Sequence, residues 1–286
     1  AMLLIYTILA TQFQSFSQPV VVMAAIPLSF IGVTGGFLLN PKPIGLIALV
    51  GVVALAALAG CSTIDFDYPR TESHALTDTD DTELGRLIQP IVTGKPEGES
   101  GFVTMLNGID ALAARLMLGR RAEKSIDVQY YLIKNDTTGL AFIDALLRAA
   151  DRGVRVRLIV DDVFTKGYDP GMAALDSHPN FEIRVFNPFA HRGSRLFGFL
   201  TDFDRINHRM HNKLVVVDNA FAIVGGRNIG DHYFGVQTEA NFRDLDIAAA
   251  GPIVREVSRV FDYFWNGDWS YPIAALVEQT YNEADL

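Results

Sequence analysis

The run MHNKLVVVDNAFAIVGGRNIG, Met210 to Gly230, decides how the rest of the chain reads. β-Branched and apolar residues fill LVVV and FAIV, Asp218 and Asn219 make a turn between them, and Gly225 and Gly226 stop the second run, so the segment predicts a hairpin. Side chains alternate along an extended strand. His211 and Lys213, two positions apart, therefore project from one face and bring an imidazole and an ammonium together. Asp218 stands at odd spacing, faces away, and is expected to tie the turn through hydrogen bonds rather than relay a proton. Gly225 and Gly226 lack Cβ atoms, so backbone amides there are expected to approach an anion, and Asn228 adds a side-chain donor. Such a set can cradle a phosphate against a nucleophile.

Working outward, Asn107 opens a helix with Ile109, Leu112, Ala113 and Leu116 on its apolar face, followed by the strand SIDVQYYLI from Ser125 to Ile133. Thr137 or Thr138 caps a second helix that runs through Arg152, Gly153 stops it, and VRVRLIVDD from Val154 to Asp162 is the next strand. A helix near Pro170 to Ser177 and the strand FEIRVF complete a third unit. This alternation predicts an α/β/α sandwich around a mixed, mainly parallel sheet. Asp161 and Asp162 end a strand, where α/β proteins place sites, but a capping role is the expected one. Downstream, RDLDIAAAG offers Asp244 and Asp246 as acceptors for the second nitrogen of the imidazole.

The motif residues His211, Lys213, Asp218, Gly225, Gly226 and Asn228 resemble, position for position, the His-Lys-Asp pattern of the phospholipase D superfamily. YYLIKNDTTG, VRLIVDD, NHRMHNKLVVVD, VGGRNIGDHYFG and DLDIAAAGPIVREVSRVFDYFWN narrow the likeness to the first half of its cardiolipin synthase branch, over Gly101 to Trp265. The resemblance implies a phospholipase D-like fold. It also implies phosphatidyl transfer between phospholipids of the phosphatidylglycerol or phosphatidylethanolamine type, with no cofactor and no metal. His211 is then either the nucleophile that forms a phosphohistidine or the acid that protonates the leaving alcohol. Lys213 and Asn228 hold the nonbridging oxygens, Asp218 counts with the catalytic set, and Asp244 supports His211 from behind. Hydrolysis, nuclease action and an inactive truncated fragment are the alternatives. His74, His178, His191, His208 and His232 have no lysine two residues later, so a second half or a homodimer is expected to complete the site.

The net charge is −9, which disfavours nucleic acid as a partner, because following phosphates needs a basic field. Mean hydropathy is +0.21 with 20% charged residues, an apolar balance concentrated at the start. Before Asp65 the only charge is Lys42, and the uncharged runs Pro19 to Leu39 and Ile44 to Gly60 are expected as membrane helices, so residues 1–60 are assigned to a bacterial membrane. Residues 1–58 resemble a transmembrane fragment of resistance-nodulation-division efflux pumps. LAGC, Leu58 to Cys61, resembles a lipoprotein signal box and makes Cys61 a lipidation candidate. Residues 61–100 read as a polar linker with a short helix near Leu84 to Ile88, and 101–286 as the catalytic domain. Arg192, Arg195, Arg205 and Arg209 with His191 and His208 form a basic stretch suited to lipid phosphates, and Leu196, Phe199, Leu200 and Phe203 a helical stripe of core type.

Overall fold

The computed structural model describes residues 64–96, 98–190, 192, 202–237, 240–277, 279–282 and 285. The expected membrane helices of residues 1–60 and Cys61 lie outside the described residues, as do His191, Arg195, Leu196, Phe199 and Leu200. Among the described residues no helix is long and apolar enough to cross a membrane.

Among the described residues eight strands form one sheet: β1 Gly101–Met105, β2 Ser125–Tyr130, β3 Arg155–Asp161, β4 Phe181–Phe186, β5 Leu214–Val217, β6 Phe221–Gly225, β7 Asp246–Ala250 and β8 Ser270–Pro272. Their order is β1-β7-β6-β5-β2-β3-β4-β8. The sheet is mixed as expected, but only β2–β3 and β3–β4 pair in parallel; the other neighbours are antiparallel, which corrects the mainly parallel reading. The reason lies in the connections. β5 and β6 are joined by a tight turn, which can make only an antiparallel pair, whereas β2, β3 and β4 are joined through helices. The register Leu214↔Val224 to Val217↔Phe221 leaves Asp218, Asn219 and Ala220 as the turn. Asp218 and Asn219 take φ of 49° and 46°, a left-handed conformation that these two residue types tolerate.

Helices α1 Glu83–Val92, α2 Gly108–Arg121, α3 Thr137–Asp151, α4 Asp169–Asp176, α5 Phe203–Ile206, α6 Asp231–Phe234 and α7 Ile253–Trp265 surround the sheet. Asn107 caps α2 as predicted, through Ile109 N. The cap of α3 is Asp136, which accepts from Gly139 N, one position before the expected threonines. Strand β5 shows how both faces of the sheet are covered. Val215 and Val217 join a core with Ala111, Phe142, Leu146 and Met172 from α2, α3 and α4, while Leu214 and Val216 join Val254, Phe261 and Trp265 of α7. The α/β/α layering predicted from the alternating pattern is therefore present.

Residues 64–96 are not a linker: they belong to one compact unit with the rest of the described chain. Leu84 and Ile88 of α1 enter the core. The polar stretch before α1 serves buried arginines, Arg157 donating to Ser73 O and Arg184 to Thr71 O, while Ala75 N donates to Asp262. Arg157 and Arg184 also lie over the Trp265 ring, and Arg157 pairs with Asp127 and Asp262. Backbone carbonyls that satisfy buried cations carry no hydrophobic period, which is why composition reads this segment as a linker.

Candidate active site

The carboxyl ends of β2 and β6 and the amino ends of β5 and β7 meet at one end of the sheet. The loops there are stitched together: Lys134 N donates to Ile229 O at 2.9 Å and Ile229 N to Leu132 O at 3.1 Å. His211 and Lys213 immediately precede β5 instead of lying within it. Their side chains still converge, and the meeting point is Tyr131. The exposed His211 ring packs on Tyr131 with centroids 4.8 Å apart at 61°. Lys213 Nζ stands 5.5 Å from the same ring centroid and donates to His211 O at 2.7 Å. Tyr131 rests in turn edge-to-face on Phe164, 5.3 Å away. Sequence reading missed Tyr131 as a site residue, since β2 already accounted for it; its one signal is the doubled tyrosine at the strand's end.

Electrostatics follow from this packing. Lys213 is only 5% exposed, and burial pushes its ammonium below the ordinary lysine value, with the Asp244 carboxylate opposing the shift. Partial desolvation, then the neighbouring Lys213 charge, lower the His211 imidazole below the ordinary histidine value. Near neutral pH His211 is therefore uncharged and has a lone pair to offer. Among the described residues no carboxylate forms an ion pair with Lys213, so its charge is open to an incoming anion.

The two glycines do something other than expected. Gly225 N donates to Lys213 O at 3.2 Å and Gly226 N to Leu245 O at 3.0 Å, so neither amide faces an anion. They permit instead a close approach of β7. A Cβ on Gly225 would lie 2.1 Å from Asp246 Oδ1, and one on Gly226 would lie 2.7 Å from Asp244 Oδ1. The backbone-cradle reading of Gly225 and Gly226 is corrected accordingly.

Asp246 is buried and paired with Arg115 at 2.9 Å and Arg227 at 3.2 Å, which removes it as a partner for His211. Arg115 also donates to Tyr130 OH, and Arg227 to Met105 O and Leu106 O, so this cluster fixes β1, β2, β6 and β7 beneath the site. Asp244 sits against Gly226 and acts on Lys213; no hydrogen bond joins it to the His211 ring. Asn228 is buried, with Nδ2 donating to Tyr233 OH at 3.0 Å and Oδ1 without a hydrogen-bond partner.

Asp218 lies at the opposite end of β5. Its carboxylate accepts from Glu123 N at 3.0 Å, Lys124 N at 2.8 Å and Ser125 N at 2.9 Å, and its own N–H donates to Ser125 O. Its place is structural, which corrects its grouping with the catalytic residues and agrees with the turn-binding role read from its spacing. Asp161 behaves as a cap, accepting from Val163 N and also from Met210 N. Asp162 accepts from Phe189 N. Three arginines of the basic stretch are already paired: Arg192 with Asp162 and Asp169, Arg205 with Asp202, and Arg209 with Asp161. Among the described residues no group of three or more His, Cys, Asp or Glu is placed to hold a metal ion.

A family model described as cardiolipin synthase, PLD-like domain, matches residues 118–265. Cardiolipin synthase C of Escherichia coli K12 is 47% identical over 64% of this chain and 38% of its own length. Cardiolipin synthase A of Pseudomonas syringae is 34% identical over 56% of this chain and 33% of its own. The chain thus spans well under half of the curated relatives it matches. Among solved structures, phosphatidylserine synthase of Haemophilus influenzae superposes with a TM-score of 0.47 at 15% identity, over 64% of this chain and 40% of that one. The matched region holds Tyr131, His211, Lys213, Asn228 and Asp244, and by that match the chain belongs to the cardiolipin synthase, PLD-like domain family.

Proposed function

We propose that this chain supplies one histidine-bearing half of a phosphatidyltransferase of cardiolipin-synthase type, acting at a bacterial membrane on phosphatidylglycerol or phosphatidylethanolamine. The observation that carries the reading is a buried Lys213 cation, with no ion-pair partner among the described residues, held beside an exposed, neutral His211 imidazole on one aromatic plate, Tyr131. His211 attacks phosphorus, so that a P–N bond forms as the P–O bond to the departing alcohol breaks. Lys213 holds a nonbridging oxygen as negative charge builds there. Asn228 joins it once its amide is turned over, since Tyr233 O–H then donates to Oδ1 and Nδ2 is released toward the phosphate. The Asp244 carboxylate favours the charged form of Lys213 against the effect of burial.

The departing oxygen takes its proton from an acid on the far side of phosphorus. A second histidine fills that role, from further chain, from a separate second half or from a twofold-related copy. The hydroxyl of another phosphatidylglycerol then attacks the phosphohistidine, gives up its proton and frees His211.

The test is incubation with phosphatidylglycerol vesicles, with and without a second-half fragment of the same family. Cardiolipin and glycerol are expected with both parts present and not when His211→Ala replaces the parent; their formation by a dimeric parent alone would assign the second histidine to a twofold-related copy. Headgroup release without cardiolipin would convert the reading to hydrolysis. Full transfer by a demonstrably monomeric chain would overturn the need for a second half.

A further inference from the structure

A cavity of about 340 Å³ opens between α3 and α4, beside the carboxyl ends of β2 and β3. That volume falls within the range of roughly 300–1,000 Å³ common to small-ligand sites. Its walls are mostly apolar: aliphatic side chains such as Leu140, Ile143, Met172 and Leu175 alternate with aromatic rings, and Lys134 and Asp161 are among the few polar lining residues. The wall nearest the site is Tyr131, whose ring packs on Phe164, another lining residue, and on His211. One aromatic ring therefore separates the cavity from the imidazole. Leu140 is 61% exposed and Phe164 46%, so large apolar side chains of the lining stand in water. Gly167 and Gly171, both exposed, line its rim, and a Cβ built on either meets nothing within 4 Å.

We infer that this cavity receives an acyl chain of the phospholipid whose phosphodiester is held at His211. The inference rests on the phosphatidyl-transfer reading and adds where the lipid tail goes. A soluble headgroup gains little from a mostly apolar slot, and a phosphate anchored at Lys213 places the glycerol and its esters within reach of Tyr131. Burying methylenes there gives affinity that grows with chain length and holds the phosphorus against His211 from a distance.

Binding is measured on the His211→Ala chain, which cannot react, with myristoyl-lysophosphatidylglycerol, its hexanoyl homologue and glycerophosphoglycerol, all below their micelle concentrations. The myristoyl compound is expected to bind roughly tenfold or more tightly than the hexanoyl one, as methylene burial requires. Gly171→Phe, which adds a ring at a lining residue where a Cβ meets no atom, should erase that difference by occupying the cavity and leave glycerophosphoglycerol binding unchanged. A chain-length gain that survives Gly171→Phe, or its absence from the parent, overturns the assignment. Should that variant not fold, a diazirine at the acyl terminus decides on the unfilled cavity. Labelling within α3 or α4 supports the assignment, and labelling confined elsewhere, as for a slot that receives a partner's side chain, refutes it. Failure of phosphatidyl transfer is read separately, as absence of cardiolipin from the parent chain with its second half. Tail binding without transfer sinks only the function.

Discussion

Replacing Asp218 separates what the motif does for the fold from what it does for chemistry. The carboxylate is fully buried and receives three backbone N–H groups, from Glu123, Lys124 and Ser125. Glu123 is exposed, so water can replace one acceptor; Ser125 is buried, and Lys124 partly so. Hydrogen bonds to a charged acceptor contribute about 1.5–3 kcal/mol each, and the alanine must also hold φ near 49°, at about 1–2 kcal/mol. Asp218→Ala should therefore cost about 4–8 kcal/mol, a large part of the roughly 5–15 kcal/mol that stabilises a domain. Asp218→Asn keeps Oδ1 for Lys124 and Ser125 and tolerates the left-handed turn, so it should lose only about 1–2 kcal/mol. Urea unfolding followed by circular dichroism gives both values, with an unchanged slope showing that the same surface is exposed. Carbethoxylation of His211 in the folded Asn variant should match the parent. The reasoning fails if the alanine variant unfolds within about 0.5 kcal/mol of the parent, or if the Asn variant keeps its stability but alters His211 reactivity.

Three further outcomes follow from the same geometry. Lys213→Met should lower transfer in the completed assembly by about a hundred- to a thousandfold with the fold intact. It should also raise the pH midpoint of His211 carbethoxylation, read site by site by mass spectrometry, because one cause of the lowered imidazole pKa is the Lys213 charge; an unmoved midpoint refutes the coupling. Asp176, half-buried and accepting from Ile183 N, has its carboxyl pushed up to about 6 by desolvation. The folded chain then holds a proton that the unfolded chain releases, so stability falls as pH rises from about 4 to 6, and Asp176→Asn should remove that slope and gain about 1–3 kcal/mol at pH 7.5. Equal slopes in thermal melts of the two proteins would contradict it. Gly225→Ala forces a methyl group into Asp246 and should destabilise by about 3 kcal/mol or more, visible as a lowered Tm, whereas a neutral effect would mean that β7 has room to move.

Local rules were enough for much of this molecule. Alternation along LVVV and FAIV with Asp218-Asn219 between them specified the hairpin, because strand period and left-handed turn residues are properties of neighbouring positions. The two-residue spacing likewise brought His211 and Lys213 together, and the βα alternation specified the layering. What the chain could not disclose along its length depends on partners far away in sequence. The strand order, with β1 and β8 at the edges, is one such feature, and the packing of residues 64–96 against Arg157 and Arg184 is another. The same holds at the site. Gly225 and Gly226 look like an amide cradle until β7 is laid beside them, when their missing Cβ atoms prove to make room for Asp246 and Asp244. Arg115, in the middle of α2, has no local reason to be buried, and only its meeting with Asp246 across the fold explains it. Sequence spacing determines which side chains share a face, but the low dielectric and exclusion of water that shape Lys213 and Asp246 arise only when distant segments close over them.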